Sequence, residues 1–304
     1  MDDIAKAVEA ARAKQPLLEC RLDESMKAHT SFRIGAPLRA MFFPGKTREL
    51  TQICELLHGF GIEPLIFGNG TNLLVDDSKP LEMIAVKTTG ICGAVRTGED
   101  EITADAGILL SKLAAYACGC GLSGLEFVHG IPGSLGGAVT MNAGAYGMEI
   151  KDIIQSTKAF SYSDGIYEVA GGEHEFSYRR SRFSDKGDVI LSSVVSLQKD
   201  DKESIEAKMD ELYTRRCDSQ PLKLPSAGST FKRPKDGYAA ALIEQAGLKG
   251  FSIGGAEVSA KHSGFVVNNG TATFADIMAV IEHVREEVFK RTGIELELEN
   301  RIVK

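Results

Sequence analysis

The sequence lacks an apolar run long enough to cross a bilayer, and it lacks an excess of positive charge. Of its 304 residues, 43% are hydrophobic and 25% are charged, and the formal net charge is −7. A nucleic-acid surface needs clustered lysine and arginine, and a membrane helix needs about 20 consecutive apolar residues. The composition therefore argues against both partners, and the length favours two or three domains.

Paired cysteines and a leader are also lacking. None of the six cysteines has a partner at CxxC spacing, and the first fifteen residues contain no apolar stretch of the kind that signal peptides have. These absences argue against a disulfide framework and against a zinc site, so we expect no metal, reduced thiols and a cytoplasmic location. Cys118 and Cys120 are expected to pack as small apolar residues.

The first two hundred residues fall into two parts by their apolar periodicity. Residues 1–80 begin with a short amphipathic helix at 3–14 and continue as a βαβ-like unit that ends at the strand "PLIFG". Residues 81–200 consist mostly of short strands and turns, with a hairpin expected at Ser163–Gly165.

A third part begins where the sequence changes to a charged helix. Residues 201–304 contain this helix, a loop, a second helix, the strand "GFVVN" and a long helix from about Phe274. The alternation of apolar and charged residues at 294–303 predicts a half-buried closing strand. No internal repeat is visible.

Two nucleotide-binding patterns are misleading. "GCGLSG", Gly119–Gly124, fits G-x-G-x-x-G, but it follows a predicted helix, whereas a dinucleotide fingerprint follows a strand and opens a helix. A helix end and a turn account for it better. "PGKT" resembles the end of a phosphate-binding loop, but Ala40 occupies the position of its first glycine. We therefore expect neither segment to bind phosphate.

Two glycine-rich loops are better candidates for a cofactor site. "GNGTNLLV", residues 68–75, follows an apolar strand and combines glycines with Asn and Thr, so its backbone N–H groups could hold a pyrophosphate. A tight exit loop is the alternative. "GIPGSLGGAVTMNAGAYG", residues 130–147, has six glycines yet is apolar. This combination indicates a buried backbone that another group, such as a large flat cofactor, approaches closely. Two such loops suit FAD better than a mononucleotide.

These loops belong to a set of motifs that together resemble one family, the UDP-N-acetylenolpyruvoylglucosamine reductases of bacterial peptidoglycan synthesis. The motifs occur in the family's order and cover nearly the whole chain: "HTSFRIGAP" (29–37), "FGNGTNLLV" (67–75), "GIPGSLGGAVTMNAGAYG" (130–147), "YRRSRF" (178–183), "LPSAGSTFKRP" (224–234) and "ELENRI" (297–302). The first four also resemble the wider class of flavoproteins with the fold named for vanillyl-alcohol oxidase and p-cresol methylhydroxylase.

The resemblance implies an α+β protein with a fold of two FAD-binding subdomains, residues 1–80 and 81–200, followed by a C-terminal α/β substrate domain, residues 201–304. It implies FAD and NADPH as cofactors, a nucleotide sugar as the substrate and no obligate protein partner. The residues expected to bind the cofactor lie in the two glycine loops and are Gly68, Asn69, Gly70, Thr71, Asn72, Gly133, Ser134, Gly137, Asn142 and Gly144.

Three catalytic residues follow from the positions of the motifs. The resemblance assigns the proton donor to Ser229 in "AGSTF", the carboxylate-binding cation to Arg179 and a hydrogen-bonding acid to Glu299. The chain is similar to the shorter of the family's two types, since it lacks the tyrosine-bearing loop of the longer type and has Arg233 where that type commonly has Asn. Substrate contacts of the longer type are therefore not transferred.

Taken without the resemblance, these three residues are also compatible with purely structural roles. Arg179 could be a surface charge like Arg180, and a serine on a turn is more often a turn former than a catalyst. Periodicity does not distinguish Glu299 from Glu297. For the whole chain, the alternatives are a flavin oxidase of an alcohol or sugar lactone with the same fold, and a nucleotide-sugar-binding protein without turnover.

Overall fold

The computed structural model describes residues 2–304, with Lys186 described by its backbone alone. The helices are α1 Asp3–Lys14, α2 Thr47–Gly59, α3 Leu110–Gly119, α4 Leu135–Thr140, α5 Phe183–Lys186, α6 Lys202–Ser219, α7 Ala239–Gln245 and α8 Phe274–Thr292. No helix of this described part combines the length and the apolar character that membrane crossing requires.

The strands are short. They are β1 Glu19–Ser25, β2 Pro37–Phe43, β3 Leu65–Phe67, β4 Leu73–Val75, β5 Leu81–Lys87, β6 Ala94–Arg96, β7 Glu101–Asp105, β8 Leu122–Ser123, β9 Gly144–Ala145, β10 Met148–Glu149, β11 Ile154–Ser161, β12 Gly165–Ala170, β13 Val189–Ser196, β14 Gln198–Lys199, β15 Ser252–Ile253, β16 Ala256–Val258, β17 Val266–Asn268 and β18 Arg301–Val303. This mixture of helices and strands confirms the α+β class.

The chain forms two compact units, and the first comprises the residues up to Asp23 together with Arg39–Asn69 and Met83–Thr214. Its larger sheet has the strand order β12-β11-β13-β7-β6, and a four-stranded sheet has the order β1-β2-β5-β3. The unit has two apolar clusters, one built around α1 and α2 and one around α3. Burial of these side chains is the main source of stability in this unit.

The second unit comprises Glu24–Leu38, Gly70–Glu82 and Arg215–Lys304. Strands β15, β16 and β17 form one sheet, and β4 pairs in parallel with β18. Helix α8 packs its apolar face into the core of the unit. The hydroxyl of Thr273 accepts from the N–H of Asp276, whose carboxylate accepts from the N–H of Thr273, so a capping box fixes the start of the helix.

Most of the predicted elements are confirmed. Helix α1 has the predicted bounds, α8 begins at Phe274, and the hairpin of β11 and β12 turns at the predicted place. Strands β2 and β3 flank α2 and belong to one sheet, as the βαβ-like pattern indicated. The "GCGLSG" segment follows α3, so it does not have the strand-before-helix context of a dinucleotide fingerprint.

The closing strand predicted at 294–303 is mostly wrong. Only Arg301–Val303 forms a ladder, with β4, and the residues before it make a single antiparallel bridge between Leu298 and Phe231. The partner segment around Phe231 lies between Pro225 and Pro234, which restrict its backbone and cannot donate hydrogen bonds. A longer ladder therefore does not form there.

The buried imidazole of His174 predicts a dependence of stability on pH. Its ring nitrogens lie 2.9 Å from the carbonyl oxygen of Gly171 and 3.0 Å from Oγ1 of Thr157. Burial lowers the pKa of His174 in the folded protein, and burial also lowers the pKa of His262. As the pH falls below the unfolded value of 6.5, the unfolded chain binds protons that the native state does not bind.

We expect the free energy of unfolding to decrease between about pH 7 and about pH 5, with a slope of at most about 1.4 kcal/mol per pH unit for each histidine. Urea unfolding across this range measures the slope. His174→Gln, which keeps a hydrogen-bonding side chain without the titration, should reduce the slope. An unchanged slope in His174→Gln would contradict the assignment.

Candidate active site

The loop that carries Ser229 is fixed through its next residue. Thr230 is buried, its N–H donates to the carbonyl oxygen of Gly264 over 2.9 Å, and its Oγ1 accepts from the N–H of Val266 over 3.0 Å. Gly228 has φ +75°, a conformation that favours glycine. The buried Thr230 anchors the turn, and Ser229 beside it is exposed.

Glu299 lies on the strand-like segment next to this turn, within the second unit. Its N–H donates to the carbonyl oxygen of Thr230 over 2.9 Å, which places the backbone of Glu299 beside the residue that follows Ser229. Glu299 is half-buried, whereas Glu297 is exposed and pairs with Lys232 over 3.2 Å. The structure thus separates two glutamates that periodicity could not separate, and it gives Lys232 a partner on the surface.

Arg233 interacts within its own loop. Its Cζ lies 4.0 Å from the centroid of the Tyr238 ring, and its Nε donates to the carbonyl oxygen of Gly237 over 3.2 Å. A guanidinium stacked on an aromatic ring is held in place by the cation–π attraction. These contacts favour a structural role for Arg233 in shaping the loop.

Two asparagines connect the first glycine loop to the Glu299 segment. Nδ2 of Asn72 donates to the carbonyl oxygen of Glu299 over 3.0 Å, and Nδ2 of Asn300 donates to Oδ1 of Asn72 over 3.1 Å. Asn300 was not among the residues predicted for the site. Its signal was available, because Asn300 continues the inward-facing positions of Leu296 and Leu298 and is therefore a polar residue at a buried position.

Arg179 lies in the first unit, on a tight turn closed by reciprocal hydrogen bonds between the backbones of Ser177 and Arg180. Arg179 has φ +56°, which is unfavourable for a residue with a Cβ and is often retained at functional sites. Its Nη2 lies 3.4 Å from the carbonyl oxygen of Gly144, and its guanidinium faces the ring of Tyr178. Arg180, by contrast, forms an exposed ion pair with Asp185.

Asn142 holds the Arg179 turn in place. Its side chain is fully buried, and Nδ2 donates to Oε2 of Glu149 and to the carbonyl oxygen of Ser177, each over 3.0 Å. Its Oδ1 accepts from the N–H of Lys151 over 3.0 Å. These contacts with protein account for a polar side chain in an apolar segment, and the cofactor contact expected for Asn142 stays a prediction.

The first two residues of the first glycine loop contact the second glycine loop within the first unit. A Cβ at Gly68 would lie 1.9 Å from Oγ of Ser134, so only glycine permits this approach. Nδ2 of Asn69 donates to the carbonyl oxygen of Pro132 over 2.6 Å. The sequence predicted that both loops serve one cofactor, and the structure brings Gly68 and Asn69 against the residues 132–134.

The loops also pass a test of fit for a bound dinucleotide. Within the described chain, no acceptor receives a hydrogen bond from the backbone N–H groups of residues 69–72. Gly137 is an exposed helical glycine, and a Cβ there would meet nothing closer than 3.5 Å. Helical glycine costs about 1 kcal/mol relative to alanine, so internal packing does not account for it. Backbone N–H groups without an acceptor in the protein, and a glycine surface that no side chain covers, are suited to binding a phosphate-bearing cofactor.

Comparison with known proteins decides the family. An FAD binding domain matches residues 38–171, and the C-terminal domain of UDP-N-acetylenolpyruvoylglucosamine reductase matches residues 220–303. The reductase of that name from Caldanaerobacter subterraneus is 46% identical over 93% of this chain and 93% of that protein. The chain belongs to the UDP-N-acetylenolpyruvoylglucosamine reductase family.

Other members of the reductase family agree with this assignment. The reductase from Syntrophomonas wolfei is 41% identical and covers 93% of this chain and 94% of that protein. The crystal structure of the reductase from Thermus caldophilus superposes with a TM-score of 0.80 at 31% identity, covering 94% of this chain and 99% of that one. The fold predicted from the motifs, an FAD-binding part followed by the C-terminal reductase domain, is thereby confirmed.

Proposed function

We propose that this reductase-family member converts the enolpyruvyl ether of UDP-N-acetylglucosamine to the lactyl ether, UDP-N-acetylmuramate, in peptidoglycan synthesis. The observation that carries the proposal is the match to named reductases over 93% of the chain. NADPH is the proposed electron source and FAD the carrier. The six unpaired cysteines support a location in the reducing cytoplasm.

We propose that residues 68–72 and 133–144 hold FAD. Residues 69–72 supply backbone N–H groups without an acceptor in the protein, and Gly137 supplies a surface that no side chain covers. FAD bound there and reduced by NADPH would supply a hydride to the terminal carbon of the enolpyruvyl group. The division into residues 1–80, 81–200 and 201–304 stays a proposal drawn from the family motifs.

Arg179 and Glu299 are the proposed groups that stabilise the negative charge on the substrate. After the terminal carbon gains H⁻, the electron pair of the double bond moves toward the neighbouring carboxylate. The forked, permanently charged guanidinium of Arg179 can hold that carboxylate. A protonated Glu299 can donate a second hydrogen bond, as carboxylic acids in apolar sites do.

Ser229 is the proposed donor of the proton that completes the reaction. Its O–H bond breaks as a C–H bond forms at the carbon bearing the ether oxygen, and the serine oxygen then regains a proton from solvent. A hydroxyl is a weak acid, but an enediolate-like carbon is a strong base, so the transfer is feasible. NADPH, one proton and the enolpyruvyl ether thus give NADP⁺ and the lactyl ether.

The test is an anaerobic assay of the purified protein with NADPH. We expect NADPH to be consumed beyond the one equivalent that reduces the flavin only when the enolpyruvyl nucleotide sugar is present, with one lactyl product formed for each further NADPH. No reduction of the nucleotide sugar in this assay, together with oxidation of an alcohol or sugar lactone by oxygen in a parallel aerobic assay, would favour the flavin oxidase instead. A protein that binds the nucleotide sugar but contains no flavin would contradict both enzymes.

A further inference from the structure

Asn300 is a buried amide surrounded by three oxygen atoms. Its Nδ2 lies 2.9 Å from the carbonyl oxygen of Ala227, 3.1 Å from Oδ1 of Asn72 and 3.3 Å from the carbonyl oxygen of Ser229. The residue is 6% exposed. Turning the amide over would place its own oxygen against these three acceptors, so the contacts determine which atom is the nitrogen.

The three acceptors belong to the segments that carry the proposed chemistry. Ala227 and Ser229 flank Gly228 in the turn of the proton donor, and Asn72 ends the first glycine loop. Asn72 in turn donates to the carbonyl oxygen of Glu299. A single side chain therefore links the Ser229 turn, the glycine loop and the segment of the proposed acid.

The near side of the turn is held by the N–H of Asn268, which donates to the carbonyl oxygen of Pro225 over 2.9 Å, and by the buried Ala227, but the tip at Gly228 is open. A Cβ built on Gly228 would meet no atom within 4 Å, so side-chain packing does not restrain the backbone there. Glycine is also the residue type with the greatest backbone freedom. Beyond Thr230, whose contacts hold the far side of the turn, the hydrogen bonds from Asn300 hold the carbonyl groups of Ala227 and Ser229 at a fixed position.

We propose that Asn300 is a positioning residue for the reduction, which holds the Ser229 turn in register with Glu299. The inference rests on the proposed function, because it concerns the proton-transfer step of that reaction. Oδ1 of Asn300 is buried and accepts no hydrogen bond from the described residues. An apolar side chain, like that of Leu296 at an equivalent inward position, would avoid this unfavourable burial, which indicates that the donating NH₂ group is the part that is needed.

The sharpest variant is Asn300→Asp, which keeps the shape and replaces the donor by an oxygen. We expect reduction of the enolpyruvyl substrate by the NADPH-reduced protein to slow about 10²-fold, since small misplacements of a reacting group have effects of this size. Reduction of the flavin by NADPH should be unchanged. Lowering the pH should restore part of the rate in this variant alone, because protonation of the new carboxyl returns one donor.

Two further variants keep the test decisive if Asn300→Asp folds poorly. The rate of substrate reduction should decrease in the order wild type, Asn300→Ser and Asn300→Ala, because serine keeps one donor. Asn269→Asp, an exposed asparagine of the same unit, should leave both half-reactions unchanged and serves as the matched control.

Rapid mixing under anaerobic conditions measures the two half-reactions separately. Equal slowing of both half-reactions in the Asn300 variants, or a loss of thermal stability with an unchanged rate of substrate reduction, would overturn the inference. A wild-type protein whose reduced flavin does not react with the enolpyruvyl sugar would overturn the proposed function and this inference together.

Discussion

Ser229→Ala should slow reduction of the enolpyruvyl substrate about 10²- to 10⁴-fold, the usual range for loss of a positioned proton donor. The reason is local, because the turn is held by the backbone of Thr230 and by Asn300, and neither contact uses the Ser229 hydroxyl. The fold, FAD binding and reduction of the flavin by NADPH should therefore be intact. Stopped-flow spectroscopy of each half-reaction measures the difference.

The control for this variant is Ser226→Ala, which removes a hydroxyl from the same loop. We expect it to leave both half-reactions within a few-fold of wild type. If Ser229→Ala and Ser226→Ala have the same small effect, Ser229 is a turn former rather than the proton donor. If Ser229→Ala slows both half-reactions equally, the hydroxyl supports the site as a whole and does not act on the substrate carbon.

Arg179→Lys should lower kcat about 10²- to 10³-fold, in line with the loss of one group that stabilises developing negative charge. Lysine keeps the charge but cannot present the two parallel N–H groups that fit a carboxylate. The loss of rate should be confined to substrate reduction. It should persist at saturating nucleotide sugar, because the contact between Arg179 and the substrate carboxylate strengthens as that carboxylate gains negative charge in the transition state.

Arg180→Lys is the matched control, since Arg180 occupies the same turn and forms an exposed ion pair with Asp185. Exposed ion pairs contribute about 0–1 kcal/mol, so we expect neither kcat nor stability to change appreciably. An equal loss of kcat in the two variants would contradict the assignment of Arg179 and would indicate that the turn matters as a whole.

Much of the fold could be predicted from the sequence because its signals are local. Helix α8 has a capping box at Thr273 and a terminating glycine at Gly293, and the hairpin after β11 has a three-residue turn signal. The closing segment could not be predicted in the same way. Its apolar alternation is that of a strand, but whether a ladder forms depends on a partner between Pro225 and Pro234 that lies far away in the sequence.

In the candidate site, too, features encoded within one segment could be predicted, whereas features that depend on contacts between distant segments could not. Motif positions predict Ser229, Arg179 and Glu299 as catalytic residues, but apolar periodicity alone does not distinguish Glu299 from Glu297, because both alternate with Leu296 and Leu298. The distinction arises from the fold, which leaves Glu299 half-buried, whereas Glu297 is exposed and pairs with Lys232. For Asn300 the sequence shows a polar residue at an inward-facing position, but its three acceptors are brought together only by the fold.

The most direct test of the reductase assignment begins with protein reduced anaerobically by one equivalent of NADPH. Addition of the enolpyruvyl nucleotide sugar should restore the oxidised flavin spectrum within a single turnover and yield one equivalent of the lactyl ether. Flavin that stays reduced in the presence of this sugar, and regains its colour only when oxygen is admitted, would contradict the assignment.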